Sequence, residues 1–347
     1  MSTSSLLAVP TTRPTVSFEL YPPRRPELGE VVWQRILRLA EAAPDFFSVT
    51  YGASGSSRDA SERLVRRILD ETGVPVIAHL TCVGTTREEL GALVRRLLGL
   101  GVRDFLALRG DPPAGQSVWA PAAGGLARSS ELVGLIRQVE AEELGAPRAD
   151  GGREAGVTAA GPSPVARELG VDPADVVSVA VAAYPCGRSH TREAELAALR
   201  EKQAAGADFA ITQVFYDVDS YASLVADARA AGVLIPILPG IIPLTDPGRL
   251  ARLGELTGVD VPPALTALLA VDDEAERLRR GVAATVDLVE GALAAGAPGL
   301  HLYTFNRDRP ALDVLEALRE RGVNNPALPT GLRRNPARPG ALPLERR

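Results

Sequence analysis

Cysteine is scarce. Cys82 and Cys186 are the only two in 347 residues, with no CxxC pair and no Cys/His cluster. That excludes a disulfide framework and a zinc ribbon and predicts a reducing, cytoplasmic setting. Basic charge is not in excess: 38 Lys+Arg face 43 Asp+Glu, a net charge of −5. The field that nucleic-acid binding needs is therefore missing, and no nucleic-acid partner is expected. No apolar run approaches the roughly 20 residues of a membrane helix, so no membrane partner is expected either. Met1–Pro14 has one short apolar patch, Leu6 to Val9, with no basic region before it. That predicts a disordered tail over 1–14 rather than a signal peptide. The three histidines, His79, His190 and His301, are dispersed, which argues against a multi-His metal set. Lysine is nearly absent: Lys202 stands alone beside 37 arginines. A solvated helix lysine is the ordinary reading. A site that wants a compact ammonium rather than a planar fork is the functional one.

What is present is a repeating unit: an Ala/Leu/Arg/Glu-rich amphipathic helix, a Gly or Pro break, a short apolar run, then polar residues. The apolar runs are Thr15–Tyr21, Asp45–Tyr51, Pro75–Cys82, Asp104–Leu108, Val176–Tyr184, Phe209–Tyr216, Ile235–Ile241 and Gly299–Phe305. Helices leave through Ala205-Gly206-Ala207, Ala231-Gly232-Val233 and Ala295-Gly296-Ala297, the C-cap pattern in which glycine turns the chain with positive φ. Nearly continuous apolar strands imply burial on both faces and a parallel sheet. Eight such units predict an α/β fold closed as a (β/α)8 barrel of the TIM type, with extra helices, as one catalytic domain over 15–322. A doubly wound sheet is the alternative. It would carry a glycine-rich phosphate turn after the first strand, where this chain has Tyr21-Pro22-Pro23 and no GxGxxG. Residues 144–172, rich in Gly, Ala, Pro, Arg and Asp, predict a flexible insertion within the domain, and the Pro/Arg-rich residues 325–347 a second disordered tail.

In a barrel, chemistry sits at the C-terminal ends of the strands. Those ends carry Glu19; Thr50 and Tyr51; His79; Arg109 and Asp111; Tyr184; Gln213; and Tyr303, Asn306 and Arg307. Any one of them reads equally well as a cap, an ion pair or a satisfied core residue. As a ring around one mouth they point to an active site, because an interior built for packing alone would not place Glu, His, Asp and Gln there. Glu19 and Asp111 lie on the first and fourth strands, so they can have separate environments, one protonated and one ionised. That suits a general acid beside an electrostatic tuner. At this level a carboxylate pair for glycoside hydrolysis also stays open.

The motifs together resemble the flavin-dependent bacterial methylenetetrahydrofolate reductase family. They are Ser17-Phe18-Glu19 with Pro22-Pro23; Phe47 to Ala53; Ala78-His79-Leu80-Thr81-Cys82; and Ala107-Leu108-Arg109-Gly110-Asp111-Pro112-Pro113. In order there follow Ala182-Ala183-Tyr184-Pro185, Ala205-Gly206-Ala207 with Ala210-Ile211-Thr212-Gln213, Pro239-Gly240-Ile241, and Leu302 to Arg307. Each motif is weak alone; the unbroken series from 15 to 322 is specific.

The resemblance implies an oxidoreductase that reduces 5,10-methylenetetrahydrofolate to 5-methyltetrahydrofolate with NADH or NADPH by ping-pong hydride transfer through FAD. Such an enzyme supplies methyl groups for methionine synthesis, and family members are commonly homo-oligomers. Glu19 matches the general acid, and Asp111 the acidic residue near flavin and pterin. Gln213, Tyr303, Arg307 and Asp111 match substrate-contacting positions. Thr50, Tyr51, Ala53, His79, Arg109, Gly110, Asp111, Tyr184 and Lys202 match cofactor-binding positions. The chain departs from the family after Tyr184-Pro185, where Cys186-Gly187-Arg188-Ser189-His190-Thr191 replaces an acidic residue and a His-Pro pair. Arg188 aligns with the family histidine and His190 is the alternative; Glu195 stands where aspartate is common. Two further readings stay in view: a flavin-independent reductase of the same folate, and a flavin- or folate-binding barrel without turnover.

Overall fold

The structure, a computed structural model, describes Thr3, Leu7 and residues 13–23, 25–50, 55–111, 119–144, 177–187 and 191–323. Its strands are β1 (Thr15–Leu20), β2 (Phe46–Val49), β3 (Val76–Thr81), β4 (Asp104–Leu108), β5 (Ser178–Ala183), β6 (Phe209–Thr212), β7 (Ile237–Leu238), β8 (Gly240–Ile241) and β9 (Gly299–Tyr303). All pairings are parallel, in the order β7-β6-β5-β4-β3-β2-β1-β9-β8. Pro239 alone separates β7 from β8. Proline has no N–H to give to a ladder, so this one run is split in two. Its first half pairs with β6 and its second with β9, which closes the sheet. Eight strand positions result, and the fold is the (β/α)8 barrel that the repeating pattern predicts.

The described helices are α1 (Gly29–Glu41), α2 (Gly55–Thr72), α3 (Arg87–Gly99), α4 (Ser129–Leu144), α5 (Arg192–Ala204), α6 (Val218–Ala230), α7 (Pro247–Thr257), α8 (Pro263–Leu269), α9 (Glu274–Ala294) and α10 (Ala311–Glu320). Each strand position leads into a helix, and α7 and α8 are the additional ones. Their starts follow from capping chemistry. Thr86 accepts from Glu89 N at 3.2 Å while the Glu89 carboxylate accepts from Thr86 N at 2.9 Å, a reciprocal box that satisfies two orphan donors. Thr191, Asp217, Asp246 and Asp273 cap α5, α6, α7 and α9 in the same manner with one side chain each. The helix exit at Gly206 has φ +103°, as the C-cap pattern requires.

Strand residues alternate between two environments, as the period of two demands. On β1 to β3, Val16, Phe18, Leu20, Phe47, Val49, Val76, Ala78 and Leu80 join the large outer core under the helices. Phe46, Ile77, Leu106, Phe209, Ile211 and Leu238 form a separate apolar cluster inside the barrel. Leu7 belongs to this inner cluster, and Thr3 N donates to the buried Asp104 carboxylate at 3.1 Å. These two residues are thus placed inside the fold, where a disordered N-terminal stretch was expected. Above that layer the interior turns polar. His301 Nδ1 lies 2.8 Å from Ser17 Oγ and its Nε2 3.2 Å from Ser48 Oγ, with Phe46 stacked on the ring. The inward positions one step further along β1, β2, β3 and β9 are Glu19, Thr50, Thr81 and Tyr303.

The N-terminal end of the barrel is closed by ion pairs that also satisfy strand backbone. Arg137 donates to the carbonyls of Gly206 and Val177 and to the carboxylates of Glu140 and Asp208. Glu140 in turn accepts from Val177 N, and Asp208 from Val179 N. Arg13 binds Asp45 through both carboxylate oxygens, and Asp45 accepts from Val16 N at 2.8 Å. Most of the expected 144–172 insertion and all of 325–347 lie outside the described residues. Among the described residues, no helix is long and apolar enough to cross a membrane.

Candidate active site

Glu19 is the last inward residue of β1 and only 6% exposed. Its strand neighbours in register are Ser48 on β2 and Tyr303 on β9. Thr50 Oγ1 donates to Glu19 Oε1 at 2.9 Å. Burial penalises the carboxylate and pushes the Glu19 pKa from the ordinary 4.5 up to about 7; hydrogen bonds from Thr50 and Tyr21 oppose the shift without cancelling it. A large fraction of this carboxyl therefore carries a proton at neutral pH. That is the property a general acid needs.

The fourth strand ends in Arg109 and Asp111, both exposed at the mouth. Gly110 between them has φ +85°, and a Cβ there would strike the Val83 side chain. Only glycine fits that turn without strain. The Arg109 guanidinium sits 5.5 Å from the centre of the Trp119 ring, and the Trp119 Nε1 is buried without a hydrogen-bond partner. Trp119 did not stand out in the sequence; its only signal there is a single large aromatic just after a stretch rich in Gly and Pro. On β3, His79 is buried and its Nε2 has no partner, and burial pushes its pKa down to about 3. It is a neutral imidazole with one open ring nitrogen.

Tyr184 follows β5. Its N–H donates to Glu195 Oε1 at 3.1 Å, so a helix residue grips the strand exit. Lys202, two turns further along α5, is 7% exposed and donates to the Ala182 carbonyl at 2.8 Å. The lone lysine thus points inward against β5 and not out to solvent. One of its three N–H bonds is used in this contact. Burial lowers the Lys202 pKa, and neighbouring Glu195 opposes the shift. Burial raises that of Glu195, with Lys202 opposing in turn.

Across the mouth, Gln213 follows β6, and its side-chain oxygen accepts from Val214 N at 2.9 Å. The Tyr303 hydroxyl donates to the Thr212 carbonyl at 2.6 Å, spanning the barrel from β9 to β6. Gly240 makes room for this crossing, since a Cβ there would collide with Thr212 O and the Tyr303 hydroxyl. Arg307 is exposed and lies 3.8 Å from Asp246, the cap of α7. Electrostatics link the two halves of the ring. Tyr303 feels Glu19, Tyr21 and Tyr184, while Tyr184 feels Glu195, Asp111 and Arg109. Glu19, Thr50, His79, Arg109, Gly110, Asp111, Tyr184, Gln213, Tyr303 and Arg307 are thus all at strand C-terminal ends, with Glu195 and Lys202 reaching β5 from α5. Tyr51, Ala53 and Arg188 lie outside the described residues.

A (β/α)8 barrel that gathers a protonatable carboxyl, an open imidazole and exposed cations at one mouth defines a barrel enzyme with a small-molecule site. Comparison with known proteins narrows the class. The family model for methylenetetrahydrofolate reductase matches residues 5–149 and 165–319. The 5,10-methylenetetrahydrofolate reductase of Escherichia coli K12 is 32% identical over 307 residues, covering 87% of this chain and 90% of that protein. Methylenetetrahydrofolate reductase (NADH) 1 of Arabidopsis thaliana is 33% identical over 301 residues, 86% of this chain. The chain spans about half the length of the plant relatives it matches, 47% in the Arabidopsis case. A Clostridium thermocellum protein described as binding two copies of 5-methyl-5,6,7,8-tetrahydrofolic acid shares the fold, with TM-score 0.55 and 16% identity over 90% of this chain and 96% of that one. The chain belongs to the methylenetetrahydrofolate reductase family.

Proposed function

We propose that this protein reduces 5,10-methylenetetrahydrofolate to 5-methyltetrahydrofolate with NADH or NADPH, in a ping-pong cycle through FAD, and so supplies methyl groups for methionine synthesis. The observation that carries the reading is the buried Glu19 carboxyl, held half-protonated near neutral pH at the mouth of a barrel of this family. The Glu19 carboxyl hands its proton to the substrate nitrogen that leaves as the five-membered ring opens to the 5-iminium cation. Asp111, an exposed carboxylate on the far side of the mouth, stabilises that cation. Gln213, Tyr303 and Arg307 orient the folate; Arg307 presents a planar fork suited to a carboxylate or to the pterin edge.

The residues present fit a flavin. His79 offers a buried ring nitrogen without a partner, Gly110 lets backbone approach a flat ring, and Arg109 and Lys202 bring positive charge. Thr50, Tyr51, Ala53, Tyr184, Arg188 and Glu195 complete the proposed cofactor contacts. When bound, the flavin supplies the hydride chemistry, accepting from the nicotinamide and donating to the folate. The names of the plant relatives favour NADH as the donor. The protein is further proposed to act in the cytoplasm as a homo-oligomer, so its mass by sedimentation should be a multiple of 36.5 kDa.

The test is a spectrum of the purified protein, followed by anaerobic addition of NADH and then of methylenetetrahydrofolate. The expected result is a visible flavin band that bleaches and returns. A colourless protein that turns over without added FAD would replace this reading with a flavin-independent one. A coloured protein that binds folate but is not reoxidised by it would leave a binding barrel.

A further inference from the structure

The exit of β9 does something that the assignment of Tyr303 and Arg307 to the folate does not require. Thr304, Phe305, Asn306 and Arg307 form a turn closed by Arg307 N donating to Thr304 O at 2.9 Å. Both central residues lie in the left-handed region, Phe305 at φ +51° and Asn306 at φ +56°. The type I′ turn has this sign at both positions and is built mostly from Gly, Asn and Asp. A phenylalanine there is a strained choice, and such strain collects at functional sites.

The turn spends that strain on a grip. Thr304 Oγ1 donates to the Glu19 carbonyl at 2.7 Å and accepts from Asn306 N at 3.1 Å. The Asn306 carboxamide then takes both backbone groups of Tyr21: its Oδ1 accepts from Tyr21 N at 2.8 Å and its Nδ2 donates to Tyr21 O at 2.7 Å. Phe305 stacks on the Tyr21 ring at 5.6 Å and 17°. Both Thr304 and Asn306 are buried. A strand needs no such clasp beyond its last ladder bond. Here the clasp falls on Glu19 and on Tyr21, whose side chain also hydrogen-bonds the Glu19 carboxyl.

We propose that Thr304 and Asn306 are positioning residues for the proton donor: they lock the exit of β1 so that the Glu19 carboxyl keeps its direction and the Tyr21 side chain stays on it. The same turn carries Arg307, so one strained element sets the acid and a substrate contact together. Among the described residues, three side chains face the carboxyl: Thr50 after β2, Tyr303 from β9 and Tyr21 from the exit of β1 itself. Only Tyr21 is held by the clasp. The inference rests on the reading of Glu19 as the acid, and its test separates the two.

The variants are Asn306→Ala, Thr304→Val and Tyr21→Phe, with Glu19→Gln as reference. The first measurement needs no turnover. The Glu19 carboxyl band is titrated by infrared difference against Glu19→Gln in the flavin-free protein. A displaced midpoint is expected in all three variants. The second compares half-reactions of the FAD-loaded protein by rapid mixing. The folate step should slow about tenfold or more in Asn306→Ala, since misplacement by an ångström costs on the order of a hundredfold, while bleaching by NADH stays within about twofold. If Asn306→Ala does not fold, Thr304→Val, which removes one hydroxyl of the clasp itself, decides. Wild-type midpoints and folate rates in the folded variants would overturn the clasp even where Glu19→Gln abolishes folate reduction. Normal folate reduction in Glu19→Gln would instead overturn the acid itself.

Discussion

The two ends of this barrel use the same residue types to opposite ends. At the N-terminal end, Arg137, Glu140 and Asp208 form ion pairs and bind four backbone groups, the Gly206 carbonyl, both groups of Val177 and the Val179 N–H. Arg13 and Asp45 do the same for β1. At the C-terminal mouth, burial raises the Glu19 pKa to about 7, His79 keeps one ring nitrogen unpartnered, and Arg109 and Arg307 stand exposed. A buried charge that is closed on all sides holds strands together; a group left open is available to a ligand. The contrast teaches that charge near a strand end marks function when its local partners do not close it off from the mouth.

The comparison can be broken most severely at Glu19. Replacement by Gln is expected to lower the rate of folate reduction by about 100- to 10,000-fold, read by rapid mixing, while bleaching by NADH persists. Next comes the closed end. Arg137→Met leaves Glu140 and Asp208 without their cation and should cost about 3–5 kcal/mol in urea unfolding, with the folded fraction retaining its folate rate. Equal losses of activity at both ends would erase the distinction.

A third outcome sets stability against function at one residue. The folded-state pKa of Glu19, about 7, lies above its ordinary 4.5, so the folded state binds the proton more tightly. The associated stability is present below pH 4.5 and is lost as pH rises through about 7. Glu19→Gln removes the buried carboxylate and should therefore be more stable than the parent at pH 8, by up to about 3 kcal/mol. The gain should vanish near pH 4, which denaturation at the two pH values would read. The smallest effect is at Thr50. Its hydroxyl favours the charged carboxyl, so Thr50→Val should move the midpoint of the folate step to higher pH by about one unit or less. A shift to lower pH would mean that the loss of burial outweighs the loss of the bond.

Much of the architecture was legible along the chain. The eight apolar runs, the glycine exits and the extra helices Pro247–Thr257 and Pro263–Leu269 follow from local pattern and capping, which act within a few residues. Strand ends named Glu19, His79, Arg109, Tyr184, Gln213 and Arg307 as neighbours because barrel topology brings all strand ends to one face. The inner lining was less legible. The strands read as continuously apolar, yet Ser17, Ser48 and His301 form a polar tier inside, because a hydrogen bond between strands has no signature in either strand alone. Leu7 in the inner cluster escaped for a related reason: a short apolar patch does not say what it packs against. Asn306 was visible as a strand-end residue, but its partner Tyr21 lies 285 positions away.

By itself, then, the sequence determined the order of elements, the barrel and the cast of side chains at its mouth, since periodicity, caps and turn residues are local instructions. Only the tertiary structure decided their states. Burial raised the Glu19 pKa and left His79 neutral, the packing of α5 against β5 turned Lys202 inward, and the turn after β9 closed on β1. Protonation and partnership depend on what surrounds a group in space, and that is set by contacts between strands far apart in the chain.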